Sequence, residues 1–117
     1  MKAVLLISHG SRSSETKKEV IGLVERLRDR RAADIVEFAF LELESPSIPQ
    51  GIDSCISKGA REVVVLLNFL NSGRHVDRDI PDLVRQAQVQ NPTVKISITK
   101  PVGQHPTIED LFLDLLK

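Results

Sequence analysis

The sequence predicts an α/β protein, a three-layer doubly wound fold in which helices cover both faces of a four-stranded parallel sheet. Three observations predict it. Short apolar runs alternate four times with longer segments of helical periodicity, the pattern that produces a parallel sheet. The connections are short, and the run Val63–Leu67 is apolar without interruption, as in a strand covered on both faces. Right-handed crossovers then favour the strand order 2-1-3-4.

The first strand and the first helix are predicted from apolar spacing. We predict strand one over Ala3–Ser8 and helix one over about Ser14–Arg31. One face of this helix carries apolar residues at the spacing i, i+3, i+4, i+7, namely Val20, Leu23, Val24 and Leu27. Strand two is predicted over Asp34–Leu41.

The second helix is predicted from its start signal. Ser47 and Gln50 stand three residues apart at the beginning of an apolar pattern, so their side chains can form a capping box. The helix ends near Gly59 and directs three side chains inward, those of Ile52, Cys55 and Ile56.

The second half of the chain repeats the pattern. Strand three is predicted over Glu62–Leu67, and helix three from about Asp79, which we expect to cap its N-terminus. Strand four is predicted over Val94–Ile98, and helix four from about Pro106. Helix four is expected to bury four apolar side chains against the sheet: Ile108, Leu111, Phe112 and Leu115.

Composition excludes several classes of function. A chain of 117 residues has room for one domain, which we expect to span residues 1–117. Sixteen basic residues balance sixteen acidic ones and aromatic residues make up 3%, so we expect no nucleic-acid partner. The apolar start Ala3–Ile7 is too short for a signal peptide, and the lone Cys55 suits a reducing compartment. We therefore expect a cytoplasmic protein without a membrane partner.

The predicted topology indicates the edge of the sheet at which a ligand should bind. Open parallel sheets bind ligands beyond the carboxyl ends of their strands, where the strand order reverses. Here that point lies between strands one and three, whose following loops are Ser8–Arg12 and Asn68–His75. Each loop contains small residues, an arginine and a histidine, so His9 and His75 are expected to converge. Glu42 directly follows strand two and should face the same edge.

Structural roles compete with functional ones for these side chains. A histidine after a strand often only binds a neighbouring carbonyl group, but the position of His9 at the switch point favours a functional role. The pair of His9 and His75 is stronger evidence than either residue alone. His105 is interpreted as part of the entry into helix four. Asp77 and Asp79 are interpreted as residues that favour the start of helix three.

Familiar nucleotide motifs are absent. The chain has no Gly-x-x-x-x-Gly-Lys-Ser/Thr loop and no Gly-x-Gly-x-x-Gly after strand one, which argues against ATP hydrolysis and dinucleotide binding.

Four segments together resemble the CbiX-type sirohydrochlorin chelatases: Leu6–Arg12 (LISHGSR), Phe40–Ile48 (FLELESPSI), Gly73–Pro81 (GRHVDRDIP) and, more weakly, Gly103–Pro106 (GQHP). The segments are spread over nearly the whole chain. The resemblance implies a class II chelatase fold in the form of a chelatase-like half-domain. It also implies insertion of Co²⁺ or Fe²⁺ into sirohydrochlorin without ATP, by a homodimer that resembles the two halves of longer chelatases. It assigns the two active-site histidines to His9 and His75.

The chemistry of the residues agrees with this resemblance. Neutral imidazole is a good ligand for Co, Fe, Ni and Zn, and it titrates near neutral pH. We therefore interpret His9 and His75 as ligands of a divalent ion, Co²⁺, Fe²⁺ or Ni²⁺, which enters as a co-substrate and not as a tightly bound cofactor. One of the two would take a pyrrole proton. Glu42 would orient a histidine or assist proton removal.

The remaining residues of the two loops are candidates for binding sirohydrochlorin or a related tetrapyrrole: Ser8, Gly10, Ser11, Arg12, Ser72, Gly73 and Arg74. Arg12 and Arg74 would bind the peripheral carboxylates of the macrocycle. A macrocycle is broad compared with the edge of a four-stranded sheet, which favours a homodimer. Two alternatives stay open: a carrier that binds metal or tetrapyrrole without catalysis, and a non-catalytic relative that binds a small anion.

Overall fold

The computed structural model describes all 117 residues, and its sheet confirms the predicted topology. Four parallel strands lie in the order β2-β1-β3-β4. Their bounds are Lys2–Ser8 for β1, Ile35–Phe40 for β2, Glu62–Leu67 for β3 and Lys95–Pro101 for β4. Because β1 and β3 are neighbours at the centre, the loops that follow them leave the sheet side by side.

Four helices connect and follow the strands: α1 (Ser14–Asp29), α2 (Ile48–Ser57), α3 (Ile80–Gln90) and α4 (Ile108–Leu115). A π-helical turn over His75–Asp79 runs directly into α3, and a 3-10 turn over Val102–Gln104 precedes α4. None of the helices combines the length and the hydropathy that a membrane-spanning segment requires.

The core divides into two clusters because side chains alternate along β1. Leu5 and Ile7 are fully buried in a larger cluster with residues of α2 and α3, whereas Val4 and Leu6 pack in a smaller cluster with Val24 of α1. Helices therefore cover both faces of the sheet, as the uninterrupted apolar strands predict.

The predicted capping box is present at the start of α2. The Ser47 hydroxyl accepts a hydrogen bond from the backbone N–H of Gln50 at 3.3 Å, and the Gln50 side-chain oxygen accepts one from the N–H of Ser47 at 2.8 Å. The two bonds satisfy amides that have no partner within the helix.

The prediction that α4 packs on the sheet is wrong. Leu111, Phe112 and Leu115 are 61%, 58% and 80% exposed, and Ile108 is half-buried. The physical reason lies in the segment before the helix, where Gly103 N–H donates to the Phe69 carbonyl at 3.0 Å. This segment is tied to the loop after β3, and α4 leaves the sheet from there.

Burial of the Cys55 thiol predicts a loss of stability at alkaline pH. Desolvation by burial, with a smaller contribution from the Glu37 charge, raises the pKa of Cys55 from 9.0 to about 11. The unfolded chain therefore loses this proton at a lower pH than the folded chain, so the free energy of unfolding is expected to fall as pH rises from 9.0 to about 11. Urea unfolding across this range should show a smaller fall in Cys55→Ala. An identical fall in both proteins would contradict the prediction.

Candidate active site

Three side chains from three different loops converge at the carboxyl edge of the sheet. His9 follows β1, Glu42 follows β2, and His75 begins the turn that leads into α3. One ligand atom from each residue lies within 4.8 Å of the others, and all three residues are exposed. The structure thus brings together the two histidines and the carboxylate that the sequence placed at this edge.

The Glu42 carboxylate holds the ring of His9. Its Oε1 lies 2.8 Å from Nε2 of His9, and both side chains are about half exposed. The ring centroid of His9 is 5.2 Å from that of His75 and 6.5 Å from that of Phe69. With Nε2 bound to Glu42, Nδ1 is the nitrogen of His9 that remains for another partner.

A second carboxylate holds His75. Oδ2 of Asp79 lies 2.8 Å from Nδ1 of His75, one turn earlier on the same helical segment. The expectation that Asp79 caps helix three is wrong. Its backbone is already helical (φ −65°, ψ −47°) and its side chain makes no capping bond, because the π-helical turn begins the helix at His75 instead. Such turns are often found at functional sites.

Gly10 allows the first two loops to touch. The parallel pairing of β1 and β2 continues past the strands, since Leu41 N–H donates to the Ser8 carbonyl at 2.9 Å and Glu42 N–H to the His9 carbonyl at 3.1 Å. Gly10 has a φ of +103°, and a Cβ at this position would overlap the Glu42 carbonyl oxygen. The absence of a side chain therefore permits the close approach that places His9 beside Glu42.

Two further contacts stiffen this edge. Ser11 N–H donates to the Glu44 carboxylate at 2.8 Å, and the Asn68 side-chain amide donates to the Ser8 hydroxyl at 3.0 Å. Ser8 is only 5% exposed. Its side chain accepts this bond from Asn68 and links the ends of β1 and β3.

The other candidates for ligand binding lie on the two loops around the histidines. Gly10 and Ser11 are half-buried, whereas Arg12, Ser72, Gly73 and Arg74 are exposed. Neither Arg12 nor Arg74 is paired with a carboxylate of the chain. Both guanidinium groups are therefore available to an anionic ligand.

The third histidine lies outside the cluster. Nδ1 of His105 accepts a hydrogen bond from the backbone N–H of Thr107 at 3.1 Å, at the start of α4. This contact agrees with its interpretation as part of the entry into the last helix.

Sequence reasoning missed the role of Asp79 and the contact of Glu44. A signal for Asp79 was available, since its position four residues after His75 puts both side chains on one face of a helix. This spacing brings the two side chains together only if the helix begins at His75, and the sequence pattern placed its start at Asp79. No comparable spacing rule relates Glu44 to Ser11, which lies 33 residues away.

The donor set of the cluster is suited to a particular kind of ion. Two imidazoles and one carboxylate are ligands for borderline divalent ions such as Co²⁺, Fe²⁺, Ni²⁺ and Zn²⁺. Two or three protein ligands leave coordination positions open, as in sites where an ion must meet another ligand.

Comparisons with known proteins give the family and its relatives. The family model described as CbiX matches residues 3–117. The chain is 32% identical over 114 residues to a sirohydrochlorin ferrochelatase of Priestia megaterium, covering 97% of this chain and 43% of that protein. It is 39% identical over 106 residues to a sirohydrochlorin cobaltochelatase of the same organism, covering 90% and 34%. The chain thus spans less than half the length of these two relatives.

A relative of similar length also matches. The sirohydrochlorin cobaltochelatase of Sulfolobus acidocaldarius is 32% identical over 111 residues, which cover 95% of this chain and 86% of that protein.

Solved structures share the fold, and the sequence matches establish the family. The sirohydrochlorin chelatase SirB from Bacillus subtilis subspecies spizizenii, in complex with cobalt, superposes with a TM-score of 0.81 at 32% identity, over 86% of this chain and 43% of that one. A putative CbiX protein from Marinobacter aquaeolei VT8 has a TM-score of 0.86 over 99% and 92% of the two chains; its 22% identity bears on the fold alone. With the family model matching nearly every residue, the chain belongs to the CbiX family.

Proposed function

We propose that this protein is a sirohydrochlorin chelatase, which inserts a divalent metal ion into sirohydrochlorin without ATP, in the cytoplasm. Co²⁺ is the first candidate for the ion, with Fe²⁺ and Ni²⁺ as alternatives, and the ion is a substrate. The observation that carries the proposal is the cluster of His9, Glu42 and His75 at the switch point of the sheet. Relatives named as cobaltochelatases and ferrochelatases, and a structural neighbour in complex with cobalt, support it.

The exposure of the cluster suits a transferred ion. A resident structural ion is usually enclosed by four protein ligands. Here His9, Glu42 and His75 are exposed, so an ion can enter from solvent, be held through few bonds and then pass to the four nitrogens of a macrocycle.

The two histidines also suit the protons of the reaction. Metal insertion replaces two pyrrole N–H protons by one M²⁺ ion, so two protons must leave the macrocycle. While the ion is held, the lone pairs of Nδ1 of His9 and Nε2 of His75 would be donated to it. When the ion moves to the pyrrole nitrogens, these lone pairs become free, and each nitrogen can accept one proton. Glu42 and Asp79 bind the opposite ring nitrogens and would stabilise the imidazolium ions.

The loops around the cluster would hold the substrate. Arg12 and Arg74 have no ion pair within the chain and can donate two parallel hydrogen bonds to peripheral carboxylates of the macrocycle. Gly10, Ser11, Ser72 and Gly73 would lie beneath the ring, where small residues allow close approach. We include a homodimer in this proposal because one sheet edge leaves much of a macrocycle uncovered.

The test is anaerobic mixing of the protein with sirohydrochlorin and Co²⁺, Fe²⁺ or Ni²⁺ in turn, followed by the absorbance change of metallation. We expect insertion faster than the spontaneous reaction, with many turnovers per protein. Tight binding of the ion and the macrocycle without acceleration of metallation would favour a carrier protein over a chelatase. Neither binding nor acceleration would reject both.

The contact between Asp79 and His75 predicts that Asp79 affects the affinity for the metal ion. In Asp79→Asn the ring of His75 loses its carboxylate partner, and we expect Co²⁺ affinity to fall about tenfold, as for other carboxylates behind ligand histidines. Isothermal titration with Co²⁺ measures it. Asp77→Asn is the matched control, since Asp77 lies in the same turn and makes no ion pair. Equal affinities for the two variants would contradict the assignment.

A further inference from the structure

A side-chain hydrogen bond joins the starting points of the two histidine loops, by which we mean residues 9–13 after β1 and residues 68–75 after β3. The Asn68 amide donates to the Ser8 hydroxyl at 3.0 Å. Ser8 is the last residue of β1, and Asn68 is the first residue after β3. The bond therefore lies where both loops leave the sheet.

This is the last hydrogen bond between the two histidine loops. The backbone N–H of Asn68 donates to the Ile7 carbonyl at 2.8 Å, which continues the pairing of β1 and β3 by one residue. The side-chain bond to Ser8 lies one residue further along β1. Beyond it no hydrogen bond crosses between the loops before the rings of His9 and His75, whose centroids are 5.2 Å apart. The separation of the rings thus depends on how the two loops leave the sheet.

The two carboxylates of the site do not supply this connection. Glu42 binds the ring of His9 from the loop after β2, and Asp79 binds the ring of His75 from the same helical segment. Each bond orients one ring, and neither joins one histidine loop to the other. Asn68 therefore provides the side-chain hydrogen bond that relates the position of one histidine to that of the other.

Packing alone does not account for an amide at this position. Asn68 is half-buried and lines a cavity together with five leucines, among them Leu23 and Leu66. A polar group in such surroundings loses hydration, and a hydrogen-bonded pair can often be replaced by two apolar groups of the same shape at little cost in stability. The Ser8 hydroxyl, in a residue only 5% exposed, has Asn68 as its side-chain partner. The value of the pair therefore lies in the geometry that it fixes.

We propose that Asn68 is a positioning residue for metal insertion, and that its bond to Ser8 sets the separation of His9 and His75. The inference rests on the proposed function and adds a residue to that site. One ion can bind both imidazoles only over a narrow range of separations. A misplacement of about 1 Å in a reacting group can lower a rate by about 100-fold, so a bond that fixes the origins of both loops affects the reaction without touching the substrate.

The first experiment compares two substitutions of Asn68 in the metallation assay. Asn68→Leu keeps the shape of the side chain and removes the bond, and we expect kcat for Co²⁺ insertion to fall about tenfold, as for other residues that orient metal ligands. The KM for sirohydrochlorin should stay within about twofold, because Asn68 acts through Ser8 and not on the macrocycle. Asn68→Asp restores a partner, since its carboxylate accepts a bond from the Ser8 hydroxyl, and should keep kcat within about threefold of the parent chain.

A double variant separates positioning from stability. Asn68→Leu leaves the Ser8 hydroxyl buried without a partner, so its urea midpoint should fall. Ser8→Ala/Asn68→Leu removes both polar groups and should regain most of that loss in stability, while its kcat stays about tenfold below that of the parent chain. A double variant that regains kcat together with stability overturns the proposal, because the bond would then be structural only.

Asn91→Leu is the matched control. Asn91 is also half-buried, and its side-chain amide donates to the Ala87 carbonyl at 2.9 Å. This bond lies at the end of α3, at the edge of the sheet opposite the histidines. The control loses stability as Asn68→Leu does, but its kcat should stay within about twofold of the parent chain. An equal loss of kcat in Asn68→Leu and Asn91→Leu overturns the proposal.

The visible absorption of Co²⁺ bound to the protein alone separates this inference from the proposed chelatase activity, since these bands report the geometry of the ligands. We expect altered bands and about tenfold weaker Co²⁺ binding in Asn68→Leu, and the parent spectrum in Asn68→Asp and Asn91→Leu. A parent chain that binds Co²⁺ without inserting it, with altered bands in Asn68→Leu, rejects the activity and keeps the positioning role. A parent chain that inserts Co²⁺, with unchanged kcat and bands in Asn68→Leu, keeps the activity and overturns the positioning role.

Discussion

Cobalt insertion is expected to slow by at least a hundredfold when His75 is replaced by alanine, and by a similar factor in His9→Ala. Each substitution removes one of the two imidazoles whose rings stand 5.2 Å apart, and with it a proposed metal ligand and proton acceptor. Loss of a positioned general base alone typically lowers a rate by about 10²–10⁴-fold. The initial rate of metallation at saturating sirohydrochlorin measures the effect.

His105→Ala is the matched control for both variants. It removes the chain's third histidine, whose ring is bound to Thr107 at the start of α4. Its metallation rate should stay within about twofold of the parent chain, and Co²⁺ titration should still report a site. The assignment is contradicted if the two site variants keep the parent rate, or if His105→Ala slows the reaction as much as they do.

The double variant His9→Ala/His75→Ala tests whether the two residues act as a unit. When two groups act together in one step, substitution of either one already removes most of their combined effect on the rate. We therefore expect the double variant to be little slower than either single one. A rate reduced by the full product of the two single effects would indicate that the histidines act in independent steps.

Gly10→Ala is expected to lower the free energy of unfolding by about 3 kcal/mol and to abolish the contact between His9 and Glu42. The methyl group would have to occupy the space of the Glu42 carbonyl oxygen, at a φ of +103° that L-residues rarely adopt. The loops after β1 and β2 must separate to make room. Urea unfolding measures the stability, and titration with Co²⁺ measures the expected loss of metal binding.

Gly22→Ala is the matched control for this glycine. Gly22 lies inside α1, where an added Cβ meets only the far end of the Arg26 side chain at 3.7 Å. Alanine is favoured over glycine in a helix by roughly 1 kcal/mol, so this variant should be slightly more stable than the parent chain. Unchanged stability and Co²⁺ affinity in Gly10→Ala would show that the two loops do not need their close contact.

The fold class was predictable because it depends on local patterns. The apolar runs became β1, which is buried on both faces, and β3, which is buried on one face and half-buried on the other. The bounds of β2 and β4 differ from the predicted ones by only a few residues. The start of α2 was predictable to the residue, since a capping box involves only Ser47 and Gln50. Strand order followed from a general rule of chain handedness.

The position of the candidate site was predictable from the sequence, but only some of its contacts were. His9, Glu42 and His75 each follow a strand, and parallel strands end at one edge of the sheet, so their convergence follows from topology. The hydrogen bonds within the site depend on where each helix begins. The bond from Asp79 to His75 exists because a π-helical turn extends the helix back to His75, and the sequence favoured Asp79 as a cap.

By itself the sequence determined the layered sheet and the edge at which the histidines meet, and it predicted a divalent metal ion from the chemistry of imidazole. Each of these depends on periodicity, strand ends or side-chain chemistry, which are properties of short segments. Only the tertiary structure decided that Ser8 is buried against Asn68, and that α4 stands away from its own sheet. Amphipathic spacing shows that a helix has an apolar face to cover, whereas the contacts that direct the preceding segment join residues 34 positions apart along the chain.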